Sequence, residues 1–186
     1  EMGGFYASLV SQGVDPETTL LRFGLVATSP HLRSLFVTDE DQILLLQRLY
    51  LVDGHPLSVV YSYFHPSMTG ILTEELAARH PTNALLTQVA GLDIDRVDLA
   101  IRVQPASGDV ADILKVPTGT GLLLLDRLTF CRSKSGEAAG FPHKCTLLYL
   151  RADRYEFGIT VKGEVSLMDG IQTFRGFNGE HHDREL

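Results

Sequence analysis

Apolar and polar residues follow two rhythms along the chain, one of period two and one near 3.6, and the switches between them mark the elements. Residues 18–30, TTLLRFGLVATSP, are β-branched and apolar enough for a strand, and HLRSLFV after them has the spacing of a short helix. QILLLQRLYLV, residues 42–52, predicts a long strand; Asp53 and Gly54 tolerate the positive φ of a hairpin turn, and PLSVVYSYF returns from it. ILTEELAARH and TNALLTQVAG predict two helices, stopped by Pro81 and Gly91. The order then recurs. DRVDLAIRVQPA reads as a strand, SGDVADILKV as a helix capped by Ser107, TGLLLLDRLTFCRS as a strand, Ser135-Gly136 as a turn and FPHKCTLLYL as the return.

Set side by side, ILLLQRLYL and LLLLDRLTF share an apolar run and an arginine, Arg48 and Arg127. Each is followed by a glycine turn and a proline, Pro56 and Pro142. The chain therefore reads as a duplicated strand-helix-hairpin unit. Two copies are too few for a solenoid, so they are expected to pair into one central antiparallel β-sheet flanked by helices, an α+β domain.

Alternation divides the side chains of the first hairpin between two faces. With a three-residue loop and a bulge at Gly54 or His55, one face holds Leu45, Gln47, Leu49, Leu51, Leu57, Val59, Tyr61 and Tyr63, and this side is expected to be the core. The other holds Leu46, Arg48, Tyr50, Ser58, Val60 and Ser62. The second hairpin repeats the division, with Lys144, Thr146 and Leu148 against Cys145, Leu147 and Tyr149. A guanidinium, an ammonium, hydroxyls and a phenol on one surface suit an anionic small molecule. The same alternation also fits a sheet with one wetted face, on which Arg48 is simply solvated.

Composition narrows the classes. The 186 residues, 44% hydrophobic and 21% charged, fit one ordinary globular domain. No apolar run approaches the roughly 18 residues of a membrane span, and the N-terminus has no signal-peptide pattern, so a cytoplasmic location is the expectation. A net charge of −7 has the wrong sign for neutralising nucleic-acid phosphates, so this segment by itself is not expected to bind DNA. Cys131 and Cys145 lie in predicted strands and read as small apolar residues rather than as a disulfide or metal pair. Familiar catalytic motifs are missing, Glu74-Glu75 and Asp93/Asp95 have no evident partner, and the seven histidines are dispersed and read as surface or turn residues. His181-His182 have no further ligand at a metal spacing. No cofactor, no metal and no enzymatic activity are expected. From about residue 164 the chain turns polar and matches neither repeat.

In order and spacing, GGFYASLVSQG, LLLQRLYLVDGHPLSVVYSYF, LLTQVAGLDIDR and LYLRADRYEFGI resemble the UTRA effector-binding domain of GntR-type, HutC-subfamily bacterial transcription regulators, over residues 3 to 163 or so. The resemblance implies a chorismate-lyase-like fold and a non-enzymatic sensor of a small metabolite. It also implies a homodimer that contacts DNA only through an N-terminal winged helix, expected to lie outside this chain. Residues 1–163 would be the effector domain and 164–186 a polar appendage. Residue by residue, Arg48 stands at the family's anion-gripping arginine and Tyr50 at its second arginine. Val60 and Lys144 stand where acids are common, Pro81 to Asn83 at a hydroxyl-rich helix start, Phe5 and Tyr6 on the first helix, and Tyr155 at a pocket tyrosine. The expected ligand set is Tyr6, Arg48, Tyr50, Ser62, Asn83, Lys144 and Tyr155. Loss of the acids and gain of Lys144 imply an anionic effector, held between the polar sheet face and helix N-termini. Arg127, Arg151 and Asp153 stay open between structural and ligand roles. A chorismate-lyase-like enzyme and a dimerisation module without a ligand are the alternative functions.

Overall fold

The computed structural model describes residues 9–11, 13–132, 136 and 139–154. Its frame is one six-stranded antiparallel sheet in the order β1-β2-β3-β6-β5-β4. The strands are β1 (Glu17–Ala27), β2 (Gln42–Val52), β3 (His55–Phe64), β4 (Asp93–Pro105), β5 (Gly121–Arg132) and β6 (Lys144–Arg151). This order is the duplication made visible. Each repeat contributes an outer strand and a hairpin, and the two repeats meet where β3 pairs with β6. Residues 9–11 are helical, within the first helix expected from the sequence.

Helix α1 (Pro30–Phe36) follows β1 and α4 (Gly108–Leu114) follows β4, so the repeats place equivalent helices at equivalent points. Both cover the same face. Leu32 and Phe36 of α1 pack on Leu45, Tyr63, Cys145 and Leu147, while Ala111 and Leu114 of α4 pack on Val59 and Leu122. Ser29 caps α1 by accepting from the Leu32 amide at 3.2 Å. Ser107 has the extended backbone of a cap but makes no side-chain cap bond, unlike the sequence expectation.

The hairpin turn between β2 and β3 has two residues, with Asp53 at φ 52° and Gly54 at φ 70°. This is the geometry for which Asp-Gly is suited, because glycine enters the left-handed region without a Cβ penalty. The expected three-residue loop is corrected accordingly. The extra residue sits one step further on, where Tyr50 pairs with Ser58 and Leu51 with Pro56 and Leu57 is left between them. Because a bulge occurs within the hairpin either way, the face assignment from Leu45/Tyr63 to Leu49/Val59 survives.

A larger correction concerns the second face, which is not wetted. Leu44, Leu46, Phe64 and Cys131 point there and form a second core with Met68, Leu72, Ala77, Leu85 and Leu86. These last residues belong to the connection from β3 to β4: a 3₁₀ turn (Pro66–Met68), helix α2 (Glu74–Arg79), the short helix α3 (Thr82–Ala84) and a π-helical turn (Leu85–Val89). Cys131 and Cys145 are free, buried and in cores on opposite faces, so each packs as an apolar residue.

The start of β6 is pinned by histidines that sequence reading assigned to surface or turns. His143 is buried; its Nδ1 accepts from the Cys131 amide at 3.3 Å, and its own amide donates to Thr129 O at 2.8 Å. His65 stacks on Phe141 at 4.0 Å and donates its amide to His143 O. Burial holds both imidazoles below the ordinary histidine range, so they serve as neutral packing groups. Among the described residues no helix is long and apolar enough to cross a membrane. Tyr6, Ser135, Tyr155, His181-His182 and the 164–186 appendage lie outside the described residues.

Candidate functional site

The site begins with a helix that cannot finish its own hydrogen bonds. Helix α2 opens with Thr73 accepting from Leu76 N at 3.3 Å and is supported by a Glu75–Arg79 ion pair at 2.7 Å. Pro81 ends it, forcing His80 to the extended conformation at φ −115° and ψ 141°. In a continued helix Ala77 O would accept from the amide of residue 81, and proline has none. Arg48, on the facing strand, supplies the missing donor. Its Nη2 donates to Ala77 O and, at 2.7 Å, to His80 O, while Nη1 donates to Thr82 Oγ1 at 3.3 Å. A cation at the carboxyl end of a helix also meets the negative end of its dipole. Arg48 is therefore 6% exposed, which removes the solvated reading. At this junction Arg48 meets the carboxyl end of α2 and, through Thr82, the first residue of α3.

Two register rows along, past Ser62 and Thr146, Lys144 pairs with Phe64 and Thr129 and is 2% exposed. Its Nζ donates to Asn83 Oδ1 at 2.8 Å. Asn83 stands where α3 gives way to the π turn, in which Ala90 N bonds Leu85 O, and such π turns gather at functional sites. Burial, the Arg127 guanidinium and, more weakly, Arg48 pull the Lys144 ammonium down to about 7 against a smaller opposing pull from Cys131.

Arg127 is the residue that sequence analysis left open. It lies beside Thr146, which pairs in turn with Ser62, and the two hydroxyls are 3.4 Å apart. Its Nε is buried with no hydrogen-bond partner among the described residues, as are Thr129 Oγ1 and Ser58 Oγ on the same face. Burial lowers the Arg127 guanidinium, which stays cationic at neutral pH. Among the described residues no carboxylate forms an ion pair with Arg48, Arg127 or Lys144; the six ion pairs lie elsewhere, and Asp126 turns to Arg102 at 3.3 Å on the other face. Two buried cations, Arg48 and Lys144, and the half-buried Arg127 with its buried Nε, none of them facing a carboxylate partner among the described residues, form an arrangement that favours an incoming anion.

Of the expected set, the structure brings Arg48, Ser62, Asn83 and Lys144 to one region of the sheet, and Thr82, Arg127, Thr129 and Thr146 join them. Tyr50 is on the same face and buried but pairs with Ser58, three register rows from Lys144. Arg151 grips Asp153 bidentately at 3.1 and 2.6 Å, and its alignment with Leu122 puts it on the opposite face. Arg127 could have been found from the repeat, since it occupies the position of Arg48. Thr82 and the carbonyls of Ala77 and His80 carry no such signal.

The chain belongs to the UTRA domain family, whose model matches residues 11–156. It is 27% identical over 158 residues to the HTH-type transcriptional regulator Rv0792c of Mycobacterium tuberculosis, covering 82% of this chain and 55% of that protein. The chain thus spans little more than half the length of this relative. Among solved structures, the effector domain of PhnF from Mycobacterium smegmatis superposes with a TM-score of 0.69 at 16% identity, over 88% of this chain and 97% of that one. A GntR-family transcriptional regulator from Enterococcus faecalis gives 0.66 at 16% identity, over 78% and 100%. These neighbours share the α+β fold, as the resemblance implied.

Two stability measurements follow from the site. Arg48→Met leaves the carbonyls of Ala77 and His80 without a donor and is expected to cost about 2–4 kcal/mol in urea unfolding; an unchanged midpoint would show that Arg48 does not hold α2. Lys144 sets a pH dependence. The unfolded chain keeps its proton to the ordinary value of 10.5 and the folded chain releases it near about 7, so the unfolded state binds more protons between them. Stability of the ligand-free domain should therefore rise with pH across that window, and Lys144→Met should flatten the rise. Parallel curves for the two proteins would contradict the buried ammonium.

Proposed function

We propose that this chain is the effector-sensing domain of a GntR-family transcription regulator, and that it binds a small anionic metabolite without transforming it. The observation carrying this reading is the cluster of Arg48, Arg127 and Lys144 on one sheet face, with Arg48, Lys144 and the Nε of the half-buried Arg127 out of solvent and no carboxylate partner among the described residues. An anion supplies what protein groups there do not. A guanidinium takes carboxylate or phosphate oxygens two at a time, the ammonium acts as a point charge, and Ser62, Thr129 and Thr146 offer hydroxyls for the rest of the molecule.

Binding and motion are one event in this geometry. Arg48 and Lys144 now donate to Thr82 and Asn83 at the α2–α3 junction, so an anion that takes these donors displaces the junction. An effector that favours the displaced arrangement shifts the population toward it by its difference in affinity. In the longer regulator this shift would bias a winged-helix DNA-binding module, in the cytoplasm. Dimerisation belongs to the same reading: β4 is an edge strand of 13 residues on which Leu99, Ile101 and Val103 form an exposed apolar stripe, a surface suited to a second copy.

A thermal-shift screen of dicarboxylates, sugar phosphates and acidic amino-acid derivatives tests the sensor. A true effector at about 100 times its Kd should raise the midpoint by roughly 5–10 °C, and Arg127→Gln, which spares the bonds to α2, should remove the shift. A shift of the same size in the variant would move the ligand away from this face. For the dimer, sedimentation velocity should show a dimer for the wild type and a monomer for Ile101→Lys; a wild-type monomer at tens of micromolar would refute the β4 interface.

A further inference from the structure

Resting on that sensor reading, we propose that the effector anion enters together with a proton, taken up by the amine of Lys144, so that the site reads anion and acidity jointly. The geometry sets this up. Lys144 is fully buried one row beyond Arg127 and two beyond Arg48, and each element against it leaves the amine without a negative partner. From β5 it faces Arg127, a cation, and Cys131, whose thiol burial pushes up to about 11 and keeps neutral. From β2 it faces Arg48, from α3 the uncharged Asn83, and from β3 it pairs with Phe64. Asp93 and Asp95 on β4 act on Cys131, and Asp95 is already paired with Arg132 at 2.6 Å. His143 beside it in the chain and His65 are held neutral by burial.

Two guanidiniums that cannot lose their charge therefore oppose a third positive charge on Lys144. The amine is the one member of the cluster whose protonation can change near neutrality. An anion seated among the three reverses the local field and restores the ammonium. The proton comes from a solvent acid, which keeps the bonding pair as its conjugate base, and adds to the lone pair of Nζ as a third N–H bond; no covalent bond forms between protein and anion, and the added N–H is a further donor beside the one given to Asn83 Oδ1. Linkage then requires affinity to fall as pH rises through the neutral range, because more of the free site must first be protonated. The equivalent position in the first repeat is Ser58, which cannot take up a proton, so the property belongs to the second repeat alone.

Sulfate is the suitable probe, since it stays a dianion across the range. Calorimetric titration of the domain with sodium sulfate at fixed ionic strength, in two buffers of different ionisation enthalpy, reads affinity and proton uptake together. Between about pH 6 and about pH 8 the wild type should lose roughly tenfold in affinity, with uptake approaching one proton at the higher pH. Lys144→Arg, permanently charged, should bind with the same affinity at both. Should that variant fold poorly, Lys144→Met should bind more weakly at the lower pH and show no uptake at either. Equal wild-type affinity at both pH values without proton uptake overturns the coupling while leaving the anion site standing. Absence of sulfate binding to the wild type and to Lys144→Arg at the lower pH removes the anion site itself, and the coupling with it.

Discussion

The bond from Arg48 to the unfinished end of α2 is the contact on which the rest of this face depends. Pro81 removes the amide that Ala77 O needs, and the Arg48 guanidinium on the sheet supplies a donor in its place. Docking the helix end buries the cation, and it also sets Thr82 and Asn83 above the neighbouring strands, where Asn83 meets Lys144. A buried cation is costly without compensation, and carbonyl, hydroxyl and amide oxygens offset only part of that cost. The closed arrangement thus holds positive charge with neutral oxygens, which a full negative charge can replace.

Duplication explains how one domain came to place several cations together. Arg48 and Arg127 are equivalent, and the order β1-β2-β3-β6-β5-β4 puts both on the same face of one sheet. The copies then differ where it matters. Aligning Pro56 with Pro142 sets Ser58 against Lys144, and the matching strand positions are Tyr50 and Thr129. The second repeat therefore makes the more cationic end of the face, and the α2–α3 connection lies over that end. The chain as a whole carries a net charge of −7, so the positive field is local and internal.

Much of this was legible in the sequence because it is local. Strand alternation, the Asp53-Gly54 turn and the repeated apolar runs fixed the strands, and parity placed Arg48, Ser62, Lys144 and Thr146 together on one face even though the bulge was assigned to the wrong residue. What stayed hidden were pairings between residues far apart in the chain. Arg48 reaches acceptors 29, 32 and 34 residues away, and Lys144 reaches one 61 residues away. No periodicity announces a carbonyl as a partner, and alternation cannot tell a wetted face from one covered by a helix that is itself only six residues long. The repeat points to Arg127, yet an arginine on a strand face fits packing and ligand contact equally well.

The central claim is that the cations of this face meet an anion directly, and the ¹H–¹⁵N resonance of Arg127 Nε reports on it, since that group is buried and without a protein partner among the described residues. During titration of the domain with sulfate, the Arg127 and Arg48 Nε signals should shift together and saturate at a common dissociation constant. Saturable binding that leaves both signals in place, or moves only an exposed arginine such as Arg79, would contradict it.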